Sequence, residues 1–219
     1  MFEKQGWHLL FLVALVMLIA VMARGDVLTG SLWGISTQVW LWLTIVIPIV
    51  HQVVVGVIWR GELYHQWMTS VFGQQAFPIY KVIFTVLFVL RPITMLLLGI
   101  SNHGTLACPP KLMYALGLIL LAPFAYTMYS VARYFGVDRA YGVDHFEPEK
   151  HRRDILVKKG MFKYSDNAMY KFGFLVLWSI AFFTLSEAAL LAAVFSHLYI
   201  WVHFYFTELP DMRTIYQEQ

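Results

Sequence analysis

The sequence predicts an all-α, polytopic membrane helix bundle of about five to six transmembrane helices, closing in a C-terminal helical hairpin. Three observations carry this. Of 219 residues, 59% are hydrophobic and 13% are charged, against roughly 25% charged in soluble domains. The mean hydropathy is +0.63. The charges are sorted into gaps between long apolar runs, which marks a membrane protein rather than a large soluble core.

The apolar windows fall at 7–23, 35–59, 79–100 and 112–135. Each is long enough, at about 1.5 Å per residue, to cross a hydrocarbon core of roughly 30 Å. The first has no small-x-small site after Met22-Ala23-Arg24-Gly25, so it reads as a retained membrane helix and not as a cleaved signal peptide. The fourth is announced by Asn102-His103-Gly104 and Pro109-Pro110, turn residues that punctuate the preceding loop. The fifth window, 172–206, would overshoot the bilayer as one straight helix. Its polar interruption at Phe183-Thr184-Leu185-Ser186-Glu187 makes a hairpin with two short legs the natural alternative.

Charge sets the expected orientation. Residues 133–171 hold nine of the sixteen Lys and Arg: Arg133, Arg139, Lys150, Arg152, Arg153, Lys158, Lys159, Lys163 and Lys171. The positive-inside rule puts that segment in the cytoplasm. Counting back through four passes places Lys4 and the 60–81 loop, with Arg60 and Lys81, on the same side, and Arg24 and Lys111 outside. Trp7, Trp33, Trp59 and Trp67 stand near window ends, where indole rings settle at headgroup level. Trp40, Trp42, Trp178 and Trp201 lie further in and need protein neighbours. The chain reads as one membrane domain: four helices over 1–135, a cytoplasmic loop over 136–171, and a hairpin with an acidic motif over 172–219. The bias suits a bacterial inner membrane, and an endoplasmic reticulum protein would share it.

The single cysteine, Cys108, excludes an intramolecular disulfide framework and any Cys-only metal site. It reads as a loop thiol. His197 and His203 are six residues apart and face different sides of a helix, and no histidine pairing resembles a metal site. His51, after Pro48, reads as a satisfied bundle histidine, and Glu187 as a residue of the hairpin turn. Arg91 is different. It lies about ten residues from either end of the third window and is followed by Pro92. An intramembrane arginine is costly and needs a partner or a wet cavity, so a lipid phosphate or an acid on another helix is expected there, with a kink-shifted window boundary as the plain alternative.

Polar residues concentrate at 133–171 and recur at 203–211, the two ends of the expected hairpin, so they meet at one face. The segment from Arg133 through Gly136, Arg139, Asp144 and His145 to Phe146 is rich in glycine, aromatics and charge. It reads equally as a site for cofactor or lipid headgroup and as a helix cap with Gly136 at the C′ position. The run Glu147 to Arg153 reads as a solvated, phosphate-facing surface.

Within this region Gly160-Met161-Phe162-Lys163-Tyr164-Ser165-Asp166-Asn167-Ala168-Met169-Tyr170 resembles the Gly-Pro-Tyr-x-x-x-Arg-His-Pro-x-Tyr signature of integral membrane methyltransferases. That superfamily includes phospholipid methyltransferases and isoprenylcysteine carboxyl methyltransferases. Its acidic Glu-Glu-x-x-Leu motif is matched by Thr207-Glu208-Leu209-Pro210-Asp211-Met212, and the resemblance covers about the last 90 residues. Here Arg-His-Pro has become Asp166-Asn167-Ala168, and one Glu stands for two.

The resemblance implies S-adenosylmethionine as cofactor and a lipophilic acceptor, first of all the amine of an ethanolamine phospholipid, with membrane lipids and no nucleic acid as partners. It implies a cofactor set of Gly160, Phe162, Lys163, Tyr164, Asn167, Tyr170 and Glu208. The aromatic rings would face the sulfonium. Glu208 would accept from ribose hydroxyls or the ammonium, and Lys163 and Asn167 would donate to the carboxylate. Arg91, Arg139 and His145 are the expected substrate contacts, and no residue stands out as a general base. Two other classes stay open: a non-catalytic scaffold or assembly protein that has lost the cofactor site, and a small transporter or sterol-reductase-like relative.

Overall fold

The computed structural model describes residues 2–216. Helix α1 (Gln5–Met22) is followed by a 3-10 turn and a two-stranded antiparallel hairpin, β1 (Ser31–Leu32) with β2 (Ile35–Ser36). Trp33 and Gly34 form its tip, both at positive φ. Helix α2 (Thr37–His65) ends where Gln66 turns left-handed and the short α3 (Trp67–Phe72) begins. Then come α4 (Ala76–Ser101) and α5 (Pro110–Ser130), the latter started by Pro110 in its first turn, where a missing N–H costs nothing.

Helix α5 runs into a π-helical turn, Val131–Phe135, closed by Gly136 at φ +98°, so the glycine does cap this helix. The linker carries three single-turn helices, α6 (Val137–Ala140), α7 (Val143–Phe146) and α8 (Pro148–His151), and a 3-10 turn at Gly160–Lys163. The C-terminal hairpin follows. Its first leg is α9 (Ala168–Phe172) and α10 (Leu175–Thr184). Its second is α11 (Glu187–His203), a π-helical turn at Phe204–Glu208, and α12 (Leu209–Tyr216).

Among the described residues, five stretches are long and apolar enough to cross a membrane: Gln5–Met22, Thr37–His65, Trp67–Ser101, Pro110–Phe135 and Glu187–Tyr216; the shorter apolar leg Ala168–Thr184 joins them. The expected break in the fifth window is real. Leu185 adopts φ +49°, and Ser186 caps α11 by accepting from Ala189 N at 3.0 Å. Glu187 is the first residue of α11, at that turn.

Helix α11 sits at the centre, against α1, α2, α4 and α10, while α5 packs on α10 and α2 on α4. Its inner stripe is Ala188, Ala189, Ala192 and Ala193, all fully buried. Without a hydrophobic force between helices in lipid, such small residues let backbones approach. Gly99 of α4 does the same, since a Cβ there would lie 2.5 Å from Thr184 Oγ1. Leu41, Ile45, Met95, Leu98 and Phe195 fill the rest of this core.

The loops at the hairpin-turn end are tied by one side chain. Asn102 Nδ2 donates to Thr29 O (2.8 Å) and Val27 O (3.1 Å). Its Oδ1 accepts from Thr105 Oγ1 (2.8 Å), Ser186 Oγ (2.8 Å) and Ala188 N (3.0 Å).

Candidate functional site

At the opposite end the bundle opens into a cavity of about 230 Å³ walled by α2, α4, the end of α5, the linker and both hairpin legs. On α2 the wall runs from Trp59 to His51, and on α4 from Phe84 to Arg91. At the helical rise these spans are about 10–12 Å. The linker end is marked by Trp59, Tyr141 and Glu208, the deep end by His51 and Arg91. The two π-helical turns, at 131–135 and 204–208, flank the cavity. Such turns re-aim the side chains that follow, and the second one delivers Glu208 to the wall, where its carboxylate accepts a hydrogen bond from the Tyr170 hydroxyl.

Deeper in, several polar groups of the lining lack partners. Both ring nitrogens of His51 and of His203, and Nε of Arg91, are buried without a hydrogen-bond partner among the described residues. His51 is therefore not the satisfied bundle histidine its sequence context predicts. Apolar rings fill in between: Phe84 stands edge-on to His51 at 4.6 Å, and Phe174 lies 5.7 Å from the Arg91 guanidinium.

Between the cavity and the linker lies a second polar group, linked by ion pairs and hydrogen bonds, in which His145 Nε2 and Asp211 Oδ1 lack a hydrogen-bond partner among the described residues. Arg60 Nε meets Asp211 at 3.0 Å, and the guanidinium also donates to Glu3 O and Thr207 O at 2.9 and 3.1 Å. His145 Nε2 is 3.7 Å from Asp211, inside ion-pair range but too far for a good hydrogen bond. Its Nδ1 is 3.0 Å from Asp144, whose other oxygen accepts from Tyr216 at 2.5 Å. Arg139 completes the chain, donating to Tyr216 at 3.4 Å and lying over the Phe135 and Tyr216 rings. Trp59 stacks on His145 at 4.2 Å, and Gly142, at φ +84°, lets the linker pass where a Cβ would meet the indole at 2.5 Å.

Burial alone would drive His145 toward neutrality. The Asp144 hydrogen bond and the Asp211 carboxylate outweigh it and lift the imidazole pKa to about 9. Burial likewise favours a protonated Asp144, but its bond to His145 and that cation hold its pKa below the ordinary value. The two therefore form an ion pair at neutral pH.

The structure divides the predicted cofactor set. Tyr170 and Glu208 meet in the cavity. Gly160 turns at φ +59° against Ser130 and Tyr134, and Phe162 is stacked on Phe135 at 4.9 Å inside a small core. Lys163 and Tyr164 are exposed, Tyr164 by 72%. Asn167 precedes α9, half-buried, and is not part of the cavity wall. Of the predicted substrate contacts Arg91 lines the cavity, whereas Arg139 and His145 do not and belong to the linker clasp. Trp59, read as a headgroup-level ring, is buried beneath the linker.

Sequence places Asp144 and Asp211 only within motif segments and Arg60 only in an inner loop, and it gives no sign of Tyr216. Arg60 was assigned to a loop because the apolar run stops at Trp59, yet α2 continues to His65. Its signal was the helix-compatible Gly61-Glu62-Leu63 that follows, together with an acid in the motif at 207–212.

No curated protein and no solved structure matches the chain. Residues 112–219 match the model of the family described as Phospholipid methyltransferase. That span takes in nearly all of α5, the linker, the signature segment with Tyr170, and the hairpin with Glu208, so the C-terminal half of the chain is similar to the phospholipid methyltransferase family.

Proposed function

We propose that the protein is a membrane-embedded methyltransferase that moves a methyl group from S-adenosylmethionine to a lipophilic acceptor, first of all the amine of an ethanolamine phospholipid. The observation that carries this is the Tyr170–Glu208 pair in the cavity wall, which joins the signature segment to the acidic motif. The cavity's residues fit the cofactor: one carboxylate, several ring faces, and buried donors without partners.

When bound, the cofactor supplies an activated methyl on a sulfonium, so the protein has to bind, align and exclude water. Glu208 accepts from hydroxyl or ammonium donors, with Tyr170 fixing its orientation. The faces of Phe84, Tyr141 and Phe174 favour a cation. An acyl-chain-bearing acceptor enters laterally between apolar helices, and an amine needs no activation beyond loss of a proton. The cationic linker supports a cytoplasmic face for this end of the bundle, as in a bacterial inner membrane.

A second reading, a scaffold of the same fold without catalysis, is favoured by one feature. The altered signature loop turns outward, with Lys163 and Tyr164 exposed and Asp166 paired to Lys158. Calorimetry of S-adenosylmethionine binding to the detergent-purified protein separates the two. Saturable binding is expected, weakened about tenfold or more by Glu208→Gln and less by Asn167→Ala. A folded wild type that binds nothing would establish the scaffold.

A further inference from the structure

Arg91 is the least explained charge in the molecule. It lies fifteen residues into α4 from Ala76 and ten from Ser101, about 22 and 15 Å from the two ends, further than its side chain reaches. It is 6% exposed. Among the described residues no carboxylate lies within ion-pair distance of it, and its one hydrogen bond is a long 3.4 Å contact from an Nη to Pro48 O. Nε has no partner. Of five guanidinium donors, most are therefore uncommitted, although an unpaired buried charge is strongly unfavourable. Glu208, the acid of the same cavity, stands at the linker end and is engaged by Tyr170.

The neighbouring groups are donors as well. His51 lies three residues after Pro48, on the face of α2 that Arg91 touches, and both it and His203 line the cavity with no acceptor opposite their ring N–H. The cavity is thus bipolar, with an acid at the linker end and an uncompensated cation at the other.

We propose that the deep end of the cavity is an oxyanion-binding site, with Arg91 as its anchor and an N–H of His51 as the supporting donor. Two ligands present that chemistry: the carboxylate of an amino-acid-bearing cofactor and the phosphate of a phospholipid. For the first source the inference rests on the methyltransferase reading; for the second it needs only a lipid. A carboxylate held here would take over the role of the cation missing from the signature at Asp166-Asn167.

The test uses the full-length protein in detergent as wild type, Arg91→Met and Arg91→Lys. Calorimetry compares S-adenosylhomocysteine with 5′-methylthioadenosine, which lacks the amino-acid tail. Native mass spectrometry compares retention of phosphatidylethanolamine with that of diacylglycerol, which lacks the phosphate. If the site takes the carboxylate, Arg91→Met weakens S-adenosylhomocysteine about 10- to 100-fold and leaves methylthioadenosine unchanged, with partial recovery in Arg91→Lys. If it takes the phosphate, Arg91→Met loses phosphatidylethanolamine but not diacylglycerol, and nucleoside binding is unaffected. Failure of the wild type to bind either nucleoside, with the lipid difference intact, would remove the methyltransferase reading and leave the oxyanion site standing. Melting without ligand is the control. Replacing an uncompensated buried charge by an apolar chain is neutral or stabilising, whereas a purely structural Arg91 would show a clear fall in melting temperature with all binding unchanged. That result, or unchanged binding of every probe by a folded Arg91→Met, would overturn the inference.

Discussion

The two ends of the bundle treat buried polar groups in opposite ways. Around Asn102 every amide atom is used: two backbone carbonyls accept from Nδ2, and two hydroxyls and a backbone N–H converge on Oδ1. In the cavity at the other end, Arg91, His51 and His203 keep donors without acceptors. Satisfied groups of the first kind fix a geometry and add stability. Unsatisfied groups of the second kind subtract stability from the empty protein, which is understandable where a ligand is to complete them. The contrast is thus between a structural polar site and a candidate functional one, and each makes a different prediction about removal.

The largest effect is expected at Asn102. Asn102→Leu strands the Ser186 hydroxyl and Ala188 N, both fully buried, and takes the amide donor from the half-buried Val27 O, while Thr29 O keeps Thr37 Oγ1. Each buried group left without a partner costs about 1–3 kcal/mol, so a loss of roughly 4 kcal/mol or more is expected, seen as a large drop in melting temperature in detergent. A mild Asn102→Leu would break the comparison, because the fully bonded site would then contribute no more than the unbonded one.

The linker clasp sharpens the comparison, since its groups are buried and most are engaged. His145 has a pKa of about 9 in the folded protein against an ordinary 6.5. A raised folded-state value contributes stability that is fully present below about 6.5 and is lost as pH rises through 9. Asp144 is shifted the opposite way, so its contribution is present above its ordinary 3.8 and is lost as pH falls below that. The protein should therefore melt at a lower temperature at pH 10 than at pH 7, with an effect of order 1–3 kcal/mol. His145→Gln should flatten that alkaline limb. An unchanged limb in the variant would remove His145 as its source.

The bundle itself was readable in the sequence because it depends on run length and punctuation. Apolar windows, Pro109-Pro110 and the polar break at 183–187 are local signals that map to element boundaries, except that the segment 60–81, read as a loop, is mostly helical, with α2 running on to His65 and α3 following it. The site was readable in part. Tyr170 and Glu208 sit in motifs, and their meeting follows from the hairpin. Arg91 announces itself by its place in an apolar helix. The clasp was not readable, because a pair such as Arg60 and Asp211 is separated by 151 positions and is defined only by how α2 and α12 pack. The outward turn of Lys163 and Tyr164 was hidden for a related reason. A motif's spacing records neighbours along the chain, while Gly160 packing on Ser130 and Tyr134 decides which side of the loop faces the cavity.

The smallest effect expected lies at Ser186, within the satisfied end. Its hydroxyl accepts from Ala189 N as the cap of α11 and donates to Asn102 Oδ1. Ser186→Ala removes the cap, a change that typically costs about 1 kcal/mol. Unlike Asn102→Leu it leaves Asn102 Oδ1 with two other donors, Thr105 Oγ1 and Ala188 N, so only the freed Ala189 N–H goes unpaired. Melting should fall slightly, and Ser186→Thr, which keeps a hydroxyl, should restore most of the loss. If Ser186→Ala were as damaging as Asn102→Leu, the knot would depend on the cap of α11 rather than on the amide at its centre, and stability at this end would belong to the hairpin turn alone.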